Sequence, residues 1–119
     1  KEMKDHEFYL YSGDDPTSTQ FMLSGGSGTI SVTANVVPSL IADICNKALS
    51  NESKTAIELD IKLKDLNEIL FVESNPIPVK WILNRLGRIP RGLRLPLVEL
   101  DKEFHSKAEL ILKKLSLLN

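Results

Sequence analysis

The sequence predicts an α/β fold in which one parallel βαβ unit is followed by helices. The first observation is the apolar, aromatic run Phe8–Tyr11, because such runs are typical of strands that a parallel sheet buries on both faces. The second is the β-branched segment Thr29–Thr33, which favours another strand. The third is the fifteen residues, 14–28, between Gly13 and Thr29, since a parallel crossover needs about a dozen or more.

A short helix is predicted between the two strands. After the polar turn at Ser12-Gly13-Asp14-Asp15, the pair Asp15-Pro16 predicts an N-cap followed by the first helical residue, where proline's missing N–H costs nothing. We expect a helix over Pro16–Ser24, ended by Gly25-Gly26-Ser27-Gly28. A phosphate-binding loop would follow a strand and open a helix, whereas this glycine segment does the opposite.

The remaining chain is predicted to be helical. Apolar residues at helical spacing predict four helices, with the stripes Leu40, Ile41, Ile44, Cys45, Ala48 and Leu49; Leu59, Leu63, Leu66 and Leu70; Val79, Ile82, Leu83 and Leu86; and Phe104, Ala108, Ile111 and Leu115. We expect the first helix to begin near Pro38, the third to end with Gly87 at C′, and the last to be capped by Asp101. Arg88–Leu100, which contains two prolines, is predicted to be irregular.

Composition excludes several classes of protein. The 119 residues carry 15 basic and 16 acidic side chains, a net charge of −1, which predicts neither a nucleic-acid patch nor an anionic membrane surface. No apolar run reaches the ~18 residues of a membrane span. Cys45 is the only cysteine, so no internal disulfide can form, and we expect a cytoplasmic protein.

Two parallel strands would leave both edges of their sheet unpaired, which is marginal for an independent domain. The chain also begins at Lys1 rather than at methionine, so we expect upstream residues that complete the sheet. Within the chain, residues 1–50 are predicted to hold two strand–helix units, and residues 51–119 a three-helix region.

Four segments resemble the dihydrodipicolinate synthase family, in that family's order and spacing. They are Tyr11-Ser12-Gly13-Asp14-Asp15, Gly25–Val36, Leu70–Trp81 with its Asn75-Pro76-Ile77-Pro78 turn, and Leu93-Arg94-Leu95-Pro96-Leu97. The resemblance covers essentially the whole chain. It implies the C-terminal part of a TIM (β/α)8 barrel, a fold of ~250 residues, with the last two βα units followed by a three-helix C-terminal region.

The family resemblance implies a lyase of lysine biosynthesis that condenses pyruvate with aspartate semialdehyde through a lysine Schiff base. It places that lysine, the proton-relay tyrosine, and the arginine and threonine that meet the substrates upstream of Lys1, so the chain alone is expected to be inactive. It implies a homotetramer and no metal or organic cofactor. Two alternatives stay open: another pyruvate-imine lyase of the N-acetylneuraminate lyase type, and a non-catalytic remnant or interaction protein.

Gly13 and Ile30 are the candidate substrate-binding residues. Gly13 follows a strand at the end where α/β enzymes place their chemistry, and its position alone fits either a turn or the close approach of a ligand. The resemblance implies that Gly13 lines the pyruvate pocket. By residue type Ile30 is plain core, whereas the resemblance implies that its main-chain carbonyl lies near the reactive lysine and pyruvate.

We expect the other polar residues to have structural or surface roles rather than catalytic ones. Asp14 and Asp15 lack a further acidic or histidine partner and make a poor metal site; Asp14 is expected to face the second substrate. His6 and His105 stand alone and are expected on the surface, and Cys45 is expected to be buried and inert. Asn75 is expected to hydrogen-bond its own backbone in the proline turn.

The lysine distribution bears directly on Schiff-base chemistry. None of the eleven lysines lies in residues 8–15 or 28–35, where a barrel strand would project one into a pocket. Lys80, beside Trp81, is the one candidate nucleophile among these lysines. Because it follows Pro78 at the start of a helix, its ammonium is expected to reach solvent or to pair with a carboxylate.

Overall fold

The computed structural model describes residues 8–119, in which two short strands are followed by a 3₁₀ helix and a series of α-helices. In chain order the elements are β1 (Tyr11–Ser12), α1 (Asp15–Leu23), β2 (Gly28–Thr29), a 3₁₀ helix (Thr33–Asn35), α2 (Pro38–Leu49), α3 (Ser53–Ile61), α4 (Lys64–Ile69), α5 (Ile77–Arg85) and α6 (Lys102–Lys114). Within residues 8–119, no helix combines the length and the hydropathy that a membrane crossing requires.

The two strands pair in parallel, with Tyr11 opposite Gly28 and Ser12 opposite Thr29, which confirms the predicted βαβ unit. Both strands are shorter than predicted. The expected strand Phe8–Tyr11 begins only at Tyr11, because no described strand pairs with its other edge. The expected strand Thr29–Thr33 ends at Thr29, and Thr33 instead opens the 3₁₀ helix.

Helix α1 begins one residue earlier than predicted. Asp14, in extended conformation, is the N-cap, and Asp15 is the first helical residue with Pro16 behind it. The predicted N-cap role of Asp15 is therefore wrong, and the reason is that its carboxylate is engaged by a distant segment. The end of α1 is confirmed: Gly25 follows the C-cap with φ of 102°, a left-handed conformation that glycine adopts without a steric cost.

The helical region after residue 50 contains four helices rather than the predicted three. The stripe expected to form one helix is split into α3 and α4, because the chain turns at Lys62-Leu63, where the Leu63 N–H donates to the Asp60 carbonyl (2.9 Å). The other expected boundaries are confirmed. Gly87 has φ of 69° after α5, and the Asp101 carboxylate accepts from the Glu103 N–H (2.9 Å) at the start of α6. Residues 88–100 are irregular.

One hydrophobic core joins the α1–α2 pair to the later helices. Its most buried members have almost no accessible surface: Val36, Ile44, Ala48, Ala56, Leu63, Leu66, Ile69, Leu70, Ile82, Ala108 and Leu112. This core contains residues from both sides of position 50. Helices α1 and α2 therefore pack directly against the later helices. The division into residues 1–50 and 51–119 stays a prediction.

The strand side of the molecule exposes apolar side chains. Phe8, Tyr9, Leu10 and Tyr11 are 66%, 60%, 51% and 58% exposed, and Ile30 is 75% exposed. The predicted burial of the first strand on both faces is wrong for this chain, since no described segment covers it. Several exposed apolar side chains on one short segment mark either an interface or a tendency to aggregate.

We therefore expect the chain on its own to be oligomeric, aggregated or unstable, as measured by light scattering after size exclusion and by thermal melting. Phe8→Glu should raise the monomer fraction more than Leu110→Glu, a control at a similarly exposed apolar residue (57%) on α6. A monomer with a cooperative, reversible melt would contradict this expectation.

Candidate functional site

Gly13 and Ile30 lie next to each other at the carboxyl ends of the two parallel strands. Gly13 follows β1 and Ile30 follows β2, and the Ile30 N–H donates to the Ser12 carbonyl over 2.8 Å. Ligands of parallel α/β folds bind outside this edge of the sheet. The structure thus brings together the two residues that the sequence singled out for substrate binding.

Nothing in the described part of the chain requires glycine at position 13. It is exposed, its φ lies outside the left-handed region, and a Cβ added to it would meet no atom within 4 Å. A turn with that geometry accepts most residues. Within residues 8–119, the position that a side chain at Gly13 would occupy is therefore open.

The side chain of Ile30 is exposed and does not pack into the core, so the prediction from its residue type is wrong. The reason is its position one residue past β2, on the open edge of the sheet. It lines a groove of about 300 Å³ together with Val32, Asn75, Val79 and Lys80. The main chain of Ile30 is held in place by the hydrogen bond from its N–H to the Ser12 carbonyl. The role predicted for Ile30 also belongs to its main chain, through the carbonyl.

Asp15 is a buried carboxylate, 3% exposed, that binds the segment after Ile30. Its oxygens accept from the Ser31 hydroxyl, from the Val32 N–H (2.8 Å) and from the Thr33 N–H (3.1 Å). Sequence reasoning missed this role, because an Asp before a proline is also a common helix start. Nothing local in the sequence identifies donors that lie sixteen to eighteen residues away.

Asp14 and Asp15 do not act as a pair. The Asp14 carboxylate accepts from the Thr17 hydroxyl (2.5 Å) on the surface, whereas that of Asp15 is turned inward. No group of three or more His, Cys, Asp or Glu side chains suited to a metal ion is found among residues 8–119.

A second buried polar contact lies beneath the strand ends. The Thr33 hydroxyl, with no accessible surface, donates to the Asn67 side-chain oxygen over 2.6 Å, and Asn67 is 5% exposed. This bond ties the 3₁₀ helix to α4. Nearby, the Arg88 guanidinium donates to the Val36 carbonyl (2.6 Å), which fixes the end of the same segment.

His105 is not the solvated surface histidine that was predicted. It is half-buried, its ring stacks on Trp81 with centroids 4.4 Å apart and an interplanar angle of 26°, and its Nε2 lies 3.0 Å from the Leu100 carbonyl. The partners come from α5 and from the irregular segment, so the pattern around residue 105 carries no sign of them. His6 lies outside the described residues.

Cys45 is half-buried in α2 rather than fully buried. Burial raises the pKa of its thiol above the usual value, while a backbone hydrogen bond opposes that shift. A raised pKa keeps the thiol protonated and weakly nucleophilic, in line with the predicted inert role.

Lys80 and Asn75 lie in the same groove as Ile30. Lys80 is half-buried in α5, and no ion pair of its ammonium is found among residues 8–119, so the solvent alternative fits better than the carboxylate one. Asn75 is exposed, and no hydrogen bond from its side chain to its own backbone is found among residues 8–119. The prediction for Asn75 is therefore wrong.

Comparison with known proteins decides the family. Residues 1–115 match the profile of the Dihydrodipicolinate synthetase family. The chain belongs to that family. It is 52% identical over 99 residues to the 4-hydroxy-tetrahydrodipicolinate synthase of Pseudomonas savastanoi pv. phaseolicola, covering 83% of this chain and 34% of that protein. It is 49% identical over 112 residues to the enzyme of the same name from Laribacter hongkongensis, covering 94% and 38%.

Solved structures of dihydrodipicolinate synthases superpose closely on the chain. The chloride-inhibited Acinetobacter baumannii enzyme complexed with pyruvate gives a TM-score of 0.91 at 41% identity, covering 93% of this chain and 38% of that one. A monomeric dihydrodipicolinate synthase variant gives 0.90 at 39% identity, covering 93% and 37%. The chain therefore spans little more than a third of the length of these family members.

Proposed function

We propose that the chain is the C-terminal part of a dihydrodipicolinate synthase barrel. In this proposal β1–α1 and β2–α2 are the last two βα units, within residues 1–50, and residues 51–119 form the helical C-terminal region. Parallel pairing of β1 and β2 around a crossover helix supports it, as does the high TM-score over a chain that spans 38% of the Acinetobacter enzyme. The exposed apolar strand side fits a surface that other barrel units would cover.

The reaction proposed for the complete enzyme is the condensation of pyruvate with aspartate semialdehyde, in the diaminopimelate route to lysine. The observation that carries this proposal is the 44–52% identity to proteins named 4-hydroxy-tetrahydrodipicolinate synthase, over 99 to 119 residues. A lysine amine attacks the pyruvate carbonyl and loses water to give an imine. Loss of a methyl proton then gives an enamine, which attacks the aldehyde carbon of the second substrate.

Within that reaction we propose that this chain supplies one wall of the pyruvate pocket. The absence of a side chain at Gly13 lets the bound pyruvate approach the backbone, for which the open space around Gly13 is the support. The carbonyl of Ile30 accepts a hydrogen bond from the lysine nitrogen, and the anchoring of Ile30 to Ser12 keeps that carbonyl at the strand end. The lysine and the tyrosine of the proton relay come from other segments of the complete enzyme.

We further infer a cytoplasmic homo-oligomer, of the tetrameric kind that the family resemblance implies. The support is the single cysteine, which permits no internal disulfide, and the extent of apolar surface. The monomeric variant among the matching structures makes assembly a property to be measured for each member.

The proposed reaction is tested with the complete enzyme that carries this chain, by following the joint consumption of pyruvate and aspartate semialdehyde. A lyase of the N-acetylneuraminate type would instead release pyruvate from a sugar acid, so that substrate serves as the parallel assay. Condensation without cleavage supports the synthase, and cleavage without condensation would replace it with the alternative.

This chain by itself is expected to form no pyruvate imine, despite its eleven lysines. A free lysine has a pKa of ~10.4 and is almost fully protonated at pH 7. A Schiff-base lysine needs burial or a nearby positive charge to lower that pKa. The measurement is incubation with pyruvate and borohydride, followed by intact mass, with a full-length relative as the positive control.

One stoichiometric adduct on one lysine would overturn this expectation. Lys80, which lines the groove beside Ile30, would be the first residue to map. Lys80→Arg keeps the charge and removes the primary amine, so loss of the adduct in that variant would identify Lys80 as the nucleophile.

A further inference from the structure

The buried carboxylate of Asp15 connects the two strand ends that form the proposed pyruvate wall. Asp15 follows Gly13 by two residues, and it holds Ser31, Val32 and Thr33 through three hydrogen bonds. Ile30 is therefore fixed on both sides. Its own N–H is bound by the Ser12 carbonyl (2.8 Å), and the residues that follow it are bound by Asp15.

The chemistry of this link favours a carboxylate. One oxygen accepts both backbone N–H groups while the other accepts the Ser31 hydroxyl, and at 3% exposure water does not compete. Hydrogen bonds to an ionised acceptor are roughly twice as strong as neutral ones, and a low local dielectric strengthens them further. The Ser31 hydroxyl in turn accepts from the Ala34 N–H (2.9 Å), which extends the link into the 3₁₀ helix.

We propose that Asp15 is a positioning residue for pyruvate: it sets the distance between the Gly13 backbone and the Ile30 carbonyl. This inference rests on the function proposed above and adds a residue that does not itself contact substrate. Without the carboxylate, the half-buried N–H of Val32 and the buried N–H of Thr33 lose their acceptor, and the segment that carries Ile30 must shift to satisfy them. A displacement of about 1 Å at a reacting centre costs roughly 100-fold in rate.

The test uses three variants of the complete enzyme. Asp15→Ala removes all three acceptor contacts. Asp15→Asn can still make three hydrogen bonds, because its side-chain oxygen can accept from the two N–H groups and its amide can donate to the Ser31 hydroxyl. Thr19→Val is the matched control on the same helix: Thr19 is also 3% exposed, but its hydroxyl donates to Asp60 (2.8 Å), away from the strand ends.

The readout is kcat/KM for pyruvate together with the rate of borohydride-trapped imine, because both report the first half-reaction alone. Asp15→Ala should lower both by roughly 10- to 100-fold. Asp15→Asn should restore most of the loss, and Thr19→Val should change the melting temperature without changing either rate. In Asp15→Ala, hydrogen exchange at the Val32 and Thr33 amides should also accelerate.

Each result has one meaning. Faster exchange at Val32 and Thr33 with an unchanged rate of imine formation would overturn the positioning role and leave the proposed function standing. Equal loss of rate in Asp15→Ala and Thr19→Val would assign Asp15 to general stability and also overturn the inference. A folded wild-type enzyme that forms no pyruvate imine would overturn the proposed function, and the role of Asp15 with it.

Discussion

Gly13→Val in the complete enzyme is expected to lower kcat/KM for pyruvate by about 100-fold, as a misplaced reactant does. The valine adds a Cβ and two methyl groups on the side where pyruvate is proposed to approach the backbone. Within this chain the added Cβ meets nothing within 4 Å, and the φ of Gly13 lies outside the left-handed region that favours glycine. The loss should therefore fall on pyruvate binding and leave the melting temperature nearly unchanged, as measured by steady-state kinetics and thermal melting.

Ile30→Val is the control for the substitution at Gly13. The Ile30 side chain is 75% exposed and its proposed contact is made through the main chain. Loss of a methylene costs about 0.5–1.5 kcal/mol even where the complete enzyme buries the side chain, and kcat/KM should stay close to the wild-type value because the proposed contact is made by the main chain. If Gly13→Val retained wild-type efficiency, Gly13 would be a turn residue only.

Thr33→Val is expected to destabilise the fold by about 1–3 kcal/mol, the cost of a buried polar group without a partner. Valine keeps the shape of threonine, but the Asn67 oxygen then loses the donor that lies 2.6 Å away, at a site with almost no solvent access. In a protein of 150–250 residues each kcal/mol lowers the melting temperature by about 2–4 °C, and a longer chain shifts by less because its unfolding entropy is larger. Thermal melting of the complete enzyme measures the effect.

Two further variants isolate the hydrogen bond in this prediction. Thr33→Ser keeps the hydroxyl and should retain more stability than Thr33→Val. Thr29→Val, a matched change in the same segment, removes a longer contact from the Thr29 hydroxyl to the Ser12 carbonyl (3.3 Å) at a half-buried site, and should cost less. Equal melting temperatures for the valine variants at positions 29 and 33 would contradict a special contribution from Thr33.

The proposed site could be predicted from the sequence only in part. Gly13 and Ile30 each follow a predicted strand, and parallel pairing puts the ends of both strands at one edge, so their proximity followed from the pattern. The hydrogen bonds that link Asp15 to the second strand end could not be predicted from the pattern. An Asp before Pro16 suits a helix start on local grounds, and its three donors belong to a segment on the other strand.

Local sequence determined the elements whose causes lie within a few residues. Gly25 and Gly87 end helices because each adopts a left-handed φ, and Asp101 starts α6 through a bond to a residue two positions away. The parallel unit follows from the length of its crossover. Four sequence segments also identified the family, which the match over residues 1–115 confirms.

Only the tertiary structure decided which polar side chains are buried and what they bind. Asp15 faces Ser31 to Thr33, Thr33 faces Asn67, and His105 stacks on Trp81. Each pair joins elements that lie sixteen or more residues apart, and a buried donor or acceptor takes the nearest partner that the packing provides. Helix and strand periodicities contain no information on that partner, because they report which face of an element is apolar and not what lies against it.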